Sequence, residues 1–271
     1  MSDEQAREYI QLLFEAYKKR KTNQHSYKDD IYATKAIVEA YIKFVKKPKF
    51  SIIVDAYKKE YIHNESRVEK NISEEEKKGL GIIYDYIDSF DFSKDKFNIF
   101  TCSMTIHGKL YSQCPFSSFG GKLRTTTVFL EDTNIEIIDP ESARAYFNSL
   151  IPKSDELFMN NDDIISYINT CIVETVKLIK IQPFEDGNKR TFRAVLNLLL
   201  KKLNIPPIYI EKYERETYKK VLIEAIKNDN YDPIIRFYYY KICDSIMTLD
   251  INKSLIMDKN ESYQKKILEN L

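Results

Sequence analysis

The sequence predicts an all-α bundle interrupted by one short β-hairpin, and three observations carry that reading. Apolar residues recur at a helical period of about 3.6 through most of the 271 residues. Only 6 Gly and 8 Pro are present, too few for the many turns of a β-sandwich. β-Branched runs flank a short polar turn at one place only, between 125 and 138. With 43% hydrophobic and 31% charged side chains the chain buries a sizeable core, which excludes extended disorder and collagen-like or mucin-like repeats.

Ser2 and Gln5 form a capping box ahead of Ala6, Tyr9, Ile10, Leu13 and Tyr17, so a first helix runs over about 3–20, closed by the basic run KKRKTN. Ile31 to Lys47 repeats the pattern until Pro48, and Phe50 to about Val68 reads as a third helix with Ile52, Ile53, Ala56, Tyr57 and Tyr61 on one face. Ser73 and Glu76 make another capping box for a helix ending near Phe90, and Ser93 caps a further one through Tyr111. The pattern breaks over 112–124, after which TTTVFL, EDTN and IEII supply the hairpin. Pro140 opens a short helix to Leu150, and Asp162 or Asp163 caps a long one to Lys180, stopped by Pro183. An apolar helix then follows FEDGN through Leu203, with two more at about 213–228 and 233–248. Residues 249–271 are one more helix or a frayed tail.

Lys plus Arg number 42 against 41 Asp plus Glu, so charge favours neither nucleic acid nor a membrane as partner, and neither is expected. Cys102, Cys114, Cys171 and Cys243 show no metal-ligand spacing and read as buried or free thiols of a reducing compartment, with no zinc expected. The start, MSDEQAREY, is unlike a signal peptide, and no apolar run approaches the roughly 18 residues of a membrane span, so a cytoplasmic protein is expected.

Chemistry concentrates in QPFEDGNKRTFR at 182–193. Gly187 permits a turn with positive φ, Asn188 tolerates one, and the helix that follows aims unpaired N–H groups at that turn, which makes a phosphate-shaped nest. Arg190 and Arg193 lie on one helix face and Lys189 adds a third cation. Asp186 beside the nest would repel phosphate unless Mg²⁺ bridged the two. The bland alternative is a surface arginine cluster paired to Glu185 and Asp186. Residue 182 precedes a proline, which pushes it out of the α region at a helix end.

This string resembles the signature of the Fic family, His-Pro-Phe-x-Asp/Glu-Gly-Asn-Gly/Lys-Arg-x-x-Arg, at Pro183, Phe184, Asp186, Gly187, Asn188, Lys189, Arg190 and Arg193. TIHGKLY around His107, GGKLRTTTVFL at 120–130 and LNLLLKKLNIPPIYI at 196–210 are similar to the family's flanking segments, so the resemblance covers about 50–245. It implies a Fic-like helical bundle that transfers AMP from ATP to a Ser, Thr or Tyr hydroxyl of a target protein. Carried over, Asp186 is the implied Mg²⁺ ligand, and Gly187, Asn188 and Lys189 form the anion cradle. Arg190 and Arg193 are the implied phosphate contacts, and Thr125, Thr126, Thr127 and Val128 start the flap that pairs with the target. Asp186, Asn188 and Arg190, with residue 182, are the implied catalytic set.

The segment ESRVEKNISEEE at 65–76 is similar to an inhibitory helix of one class of the family, with Glu69 on the inhibitory glutamate and Arg193 its implied partner. Glu65 and Lys70 depart from that pattern, so Glu69 is either inhibitory or an ordinary solvated helix residue. The larger departure is Gln182, at the position of the general-base histidine, because glutamine does not titrate. Of His25, His63 and His107, none is expected to replace it. The domain reading is an N-terminal helical extension at 1–92 with the inhibitory helix at about 50–71, a core at 93–248 and a tail at 249–271. The functional reading is an AMP transferase with an altered site, slow, autoinhibited or running the reverse hydrolysis. The alternative is a nucleotide-binding pseudoenzyme that sequesters a partner, and a homodimer is compatible with either.

Overall fold

The computed structural model describes residues 1–22, 31–48, 54–69, 72–115, 118, 120–130, 135–159 and 163–252. Helix α1 (Asp3–Thr22) starts at the expected box: Gln5 N–H donates to the Ser2 hydroxyl at 3.2 Å and Ser2 N–H to Gln5 Oε1 at 2.9 Å. Helices α2 (Ile31–Phe44) and α3 (Val54–Val68) follow, the start read at Phe50 lying outside the described residues. Helix α4 (Glu74–Ser89) carries the Ser73–Glu76 capping box complete. Its Gly79 crosses α5 (Ile99–Leu110) so closely that a Cβ there would lie 2.0 Å from the Leu110 carbonyl oxygen.

Helix α5 starts later than its sequence suggests. Asn98, not Ser93, caps it, with Oδ1 accepting from Phe100 and Thr101 N–H, while Ser93 donates both N–H and hydroxyl to Asp91 Oδ1 within a turn. Burying Phe97, edge-on to Phe158 at 5.9 Å, requires the chain to bend before the helix can begin.

The hairpin expected over 125–138 is not formed: no strand is present among the described residues, and the turn at 131–134 lies outside them. Several backbone groups that a ladder would need are taken by side chains. Arg124 Nη1 donates to the Thr126 carbonyl at 2.8 Å and Nη2 to that of Ile138, while Thr125 N–H donates to the Glu185 carboxylate at 3.1 Å. Strand propensity loses here to a tertiary network.

Helix α6 (Pro140–Ser149) is capped by Asp139, and α7 (Ser154–Phe158) is too short to leave a period in the sequence. Asp163 caps α8 (Ile164–Ile181), its Oδ1 accepting from Ile165 N–H at 3.0 Å, with Asp162 outside the described residues. Helix α9 (Asn188–Lys201) is buried from Arg190 to Leu200, so it forms the axis of the core. Helices α5, α4 and α8 pack on it, α3 packs on α4, and α10 (Arg215–Asn228) and α11 (Asp232–Ile246) pack on α8. Buried residues of α1 and α2 continue the same hydrophobic cluster onto α11. No described helix is long and apolar enough to cross a membrane.

Candidate active site

The loop between α8 and α9 is shaped by three local devices. Gln182 ends α8 in the left-handed region, with φ 47 and ψ 65, and Pro183 prevents the helix from continuing. Asn188 closes the loop by reciprocal bonds to Phe184, its amide donating to the Phe184 carbonyl at 2.8 Å and accepting from Phe184 N–H at 2.9 Å. Gly187 sits at φ 72, where a Cβ would lie 2.7 Å from the Tyr111 hydroxyl, so both conformation and space require glycine.

His107 holds this loop from below. Its Nδ1 accepts from Gly121 N–H at 2.9 Å, which leaves Nε2 as the donor to the Asp186 carbonyl at 3.0 Å, and its ring stacks on Phe184 at 3.9 Å. Burial pushes its pKa down to about 4, so the neutral ring that these bonds require is the stable form near neutrality.

Lys189, Arg190 and Arg193 at the start of α9 each meet carboxylates: Glu65 in α3, Glu69 just past its end, Glu76 in α4 and Asp186 in the loop itself. Arg193 is buried, with Nε 2.8 Å from Glu65 Oε2 and Nη1 2.9 Å from Glu69 Oε1. Lys189 Nζ lies 2.6 Å from the other oxygen of Glu69. Arg190 Nη1 pairs with Glu76, the capping-box residue of α4, and Nη2 reaches the Tyr111 hydroxyl at 3.1 Å and Asp186 Oδ2 at 3.3 Å. Burial alone would raise the Glu69 pKa, but the charges of Arg193 and Lys189 outweigh it and hold that carboxyl at about 2. Asp186 is exposed, with Oδ1 accepting from Gly187 N–H at 2.6 Å. As one hard, accessible carboxylate it suits a Mg²⁺ that takes its other ligands from water and phosphate, and the described residues contain no group of three ligands that would form a protein cage.

The Fic/DOC family model matches residues 103–200, which span α5, the irregular flap segment, α8 and α9. This stretch is similar to the Fic/DOC family. Over 117 residues it is 32% identical to "Protein adenylyltransferase Fic" of Nematostella vectensis, which covers 43% of this chain and 26% of that relative. The Aedes aegypti protein of the same name is 43% identical over 61 residues, 22% of this chain and 12% of the relative. The chain thus spans about a quarter or less of the length of these relatives. Its fold is that of Fic-1 from C. elegans, with a TM-score of 0.64 at 17% identity over 80% of this chain and 69% of that one. A Fic domain containing signaling protein from Bacteroides thetaiotaomicron gives a TM-score of 0.67 at 16% identity, covering 80% of this chain and 95% of the other.

Within the matched stretch, the side chain of Gln182 turns back on its own helix, Nε2 donating to the Ile179 carbonyl at 2.6 Å. It is 7% exposed, and its backbone carbonyl accepts from Arg124 Nε at 2.5 Å. Thr125, Thr126 and Thr127 are exposed and Val128 half-buried, and the Thr126 hydroxyl donates to Glu185 at 2.6 Å, so the flap segment is tied to the loop it borders. Asn188 serves as the clasp of the loop through its side chain. Sequence reasoning missed Glu65, Glu76 and Tyr111 as partners of the two arginines, and Arg124 as the joint between flap and loop. Glu76 had a signal, since a capping-box glutamate keeps a second oxygen free to pair. The others depend on contacts across more than 55 residues of chain, for which a local pattern leaves no trace.

Proposed function

We propose that this chain is a Fic-type protein nucleotidyltransferase in a closed state, transferring AMP from ATP to a protein hydroxyl. The observation that carries the reading is the row of Lys189, Arg190 and Arg193 beside the left-handed turn at Gly187 and the exposed Asp186, with Glu69 seated on two of the cations. A row of cations at a helix start is a phosphate site, and a carboxylate across it competes with phosphate for the same donors. The names of the matched relatives support the same activity at the level of the family.

In this reading the target hydroxyl attacks the α-phosphorus, pyrophosphate leaves, and the hydroxyl proton must find a base. Asp186 would hold Mg²⁺, which supplies charge neutralisation of the phosphates. Arg190 and Arg193 would orient the phosphates once their carboxylates withdraw. Thr125 to Val128 would border the target's backbone as the flap, and Glu69 would be the autoinhibitory group. The four cysteines are free, in keeping with a reducing, cytoplasmic compartment.

One observation favours a second reading, a nucleotide-binding pseudoenzyme that acts by engaging a partner. Gln182 neither titrates nor points its amide nitrogen away from Ile179, so the position that supplies the base in the family signature offers none here. The same engagement works against Gln182 as a holder of hydrolytic water. Titration calorimetry with Mg²⁺ and ATP on the wild type, Asp186→Ala and Arg190→Ala tests the shared premise. Binding weakened by about tenfold or more in both variants is the expected result, and equal affinity in all three rejects it. Incubation of the wild type with labelled ATP and a lysate then separates the two readings, covalent label marking the transferase.

A further inference from the structure

We infer that Glu65 is a positioning residue for Arg193, holding the guanidinium by its Nε edge so that the Nη1 and Nη2 edge faces the phosphates, whereas Glu69 is their competitor. This rests on the reading of the site as a nucleotide site.

The two carboxylates that meet Arg193 are differently placed. Glu65 lies within α3, its side chain is 3% exposed, and its second oxygen accepts from Ile210 N–H at 3.3 Å. It is held on both oxygens by two separate parts of the chain, and it touches Arg193 at Nε. Glu69 lies just past the end of α3, is 12% exposed and, among the described residues, bonds through cations, Nη1 of Arg193 and Nζ of Lys189. A phosphate replaces such a group at the cost of exchanging one anion for another. It gains no such exchange at Glu65, where the backbone N–H of Ile210 would lose its acceptor.

The free capacity of the guanidinium agrees with this division. Nη2 of Arg193 is buried and has no acceptor among the described residues. With Nε on Glu65, release of Nη1 from Glu69 leaves Nη1 and Nη2 together, the parallel pair that binds a phosphate in bidentate fashion. A buried arginine stripped of both carboxylates would have neither orientation nor counter-charge before the ligand arrives. Glu65, which departs from the Ser or Thr of the resembled inhibitory segment, is therefore part of the binding apparatus.

The two glutamates should respond with opposite signs. The full chain is titrated calorimetrically with ATP and with AMP, each with Mg²⁺, as wild type, Glu69→Gly and Glu69→Gly with Glu65→Gln. Glu69→Gly is expected to tighten ATP binding. Adding Glu65→Gln, which keeps the shape and an acceptor, is expected to weaken ATP by about tenfold and leave AMP unchanged, since only ATP has the terminal phosphates. Glu65→Asp, which keeps the charge but shortens the reach, provides a second variant with the same expected split should the glutamine variant fold poorly. If a change at Glu65 tightens ATP or leaves it unaltered, it is a second competitor or a bystander and the inference is overturned. A parallel loss of ATP and AMP makes the role merely structural and overturns it too. If neither wild type nor Glu69→Gly binds any nucleotide, the nucleotide reading itself fails and this inference with it.

Discussion

Gln182 is the side chain on which the proposed chemistry of the loop between α8 and α9 turns. Its left-handed backbone is held by Pro183 on one side and by Arg124 on its carbonyl, so the position is fixed independently of what the side chain does. Histidine tolerates that region better than most residues, and the bond lost to Ile179 is a local one to the last turn of the same helix. Gln182→His should therefore fold and place a titratable ring at the helix end ahead of Pro183. Combined with Glu69→Gly, so that Arg193 is not masked, it is expected to raise covalent AMP labelling of a lysate or of itself by about 10²-fold over Glu69→Gly alone. A double variant that binds ATP and labels nothing would place the obstacle in the flap or the target groove, and the pseudoenzyme reading would stand.

Among elements, the clasp of α3 on α9 is the contact with the clearest pH signature. Arg193 and Lys189 hold the Glu69 carboxyl at about 2, below its ordinary 4.5, and Glu65 shares Arg193 on the buried side. A carboxyl depressed on folding contributes stability that is fully present above 4.5 and lost as pH falls toward about 2. The difference in thermal midpoint between wild type and Glu69→Gln should thus be constant above about pH 5 and shrink steadily below it, as circular dichroism melts across the series would show. A difference that fades between pH 6 and 8 would mean that another group controls the clasp. Mild acidification to about pH 5 therefore leaves the clasp closed. On the proposed nucleotide reading, displacement by a competing anion would open it.

On the scale of the whole molecule, the N-terminal helices are joined to the last turn of the described chain by a buried polar knot. Arg7 Nε meets Asp250 Oδ1 at 3.1 Å, the Tyr41 hydroxyl donates to Oδ2 at 2.9 Å, and the Asp250 side chain is fully buried. Arg7 also donates to the Lys47 carbonyl at 2.6 Å. Removing one member of a buried pair strands the other, at a cost of about 3–5 kcal/mol. Asp250→Ala is expected to lose that much in denaturant melts while leaving Mg²⁺ and ATP binding at α9 unchanged, because the knot lies at the α1, α2 and α11 end of the bundle. A loss of nucleotide affinity without a loss of stability would refute that separation.

Helix content, most helix boundaries and the motif at 182–193 were legible because they follow from local facts: a 3.6-residue period, capping boxes at Ser2 and Ser73, and the prolines at 140 and 183. The cation row and the pairing of Glu69 with Arg193 were likewise accessible, through spacing and resemblance. What tertiary structure alone decided is where backbone and charge find partners. The β-branched run TTTVFL had strand propensity, yet Arg124 and Glu185 claimed its polar groups, and propensity on an exposed segment is worth less than a satisfied buried guanidinium. His107 resembled any helical histidine until the loop 79 residues away closed over it. Glu65 read as a departure from a pattern, and became an anchor because α3 carries it to Arg193 across 128 residues. Periodicity records which face of a helix is buried, whereas a buried charge is stable only beside a partner that folding delivers, and that partner can lie anywhere in the chain.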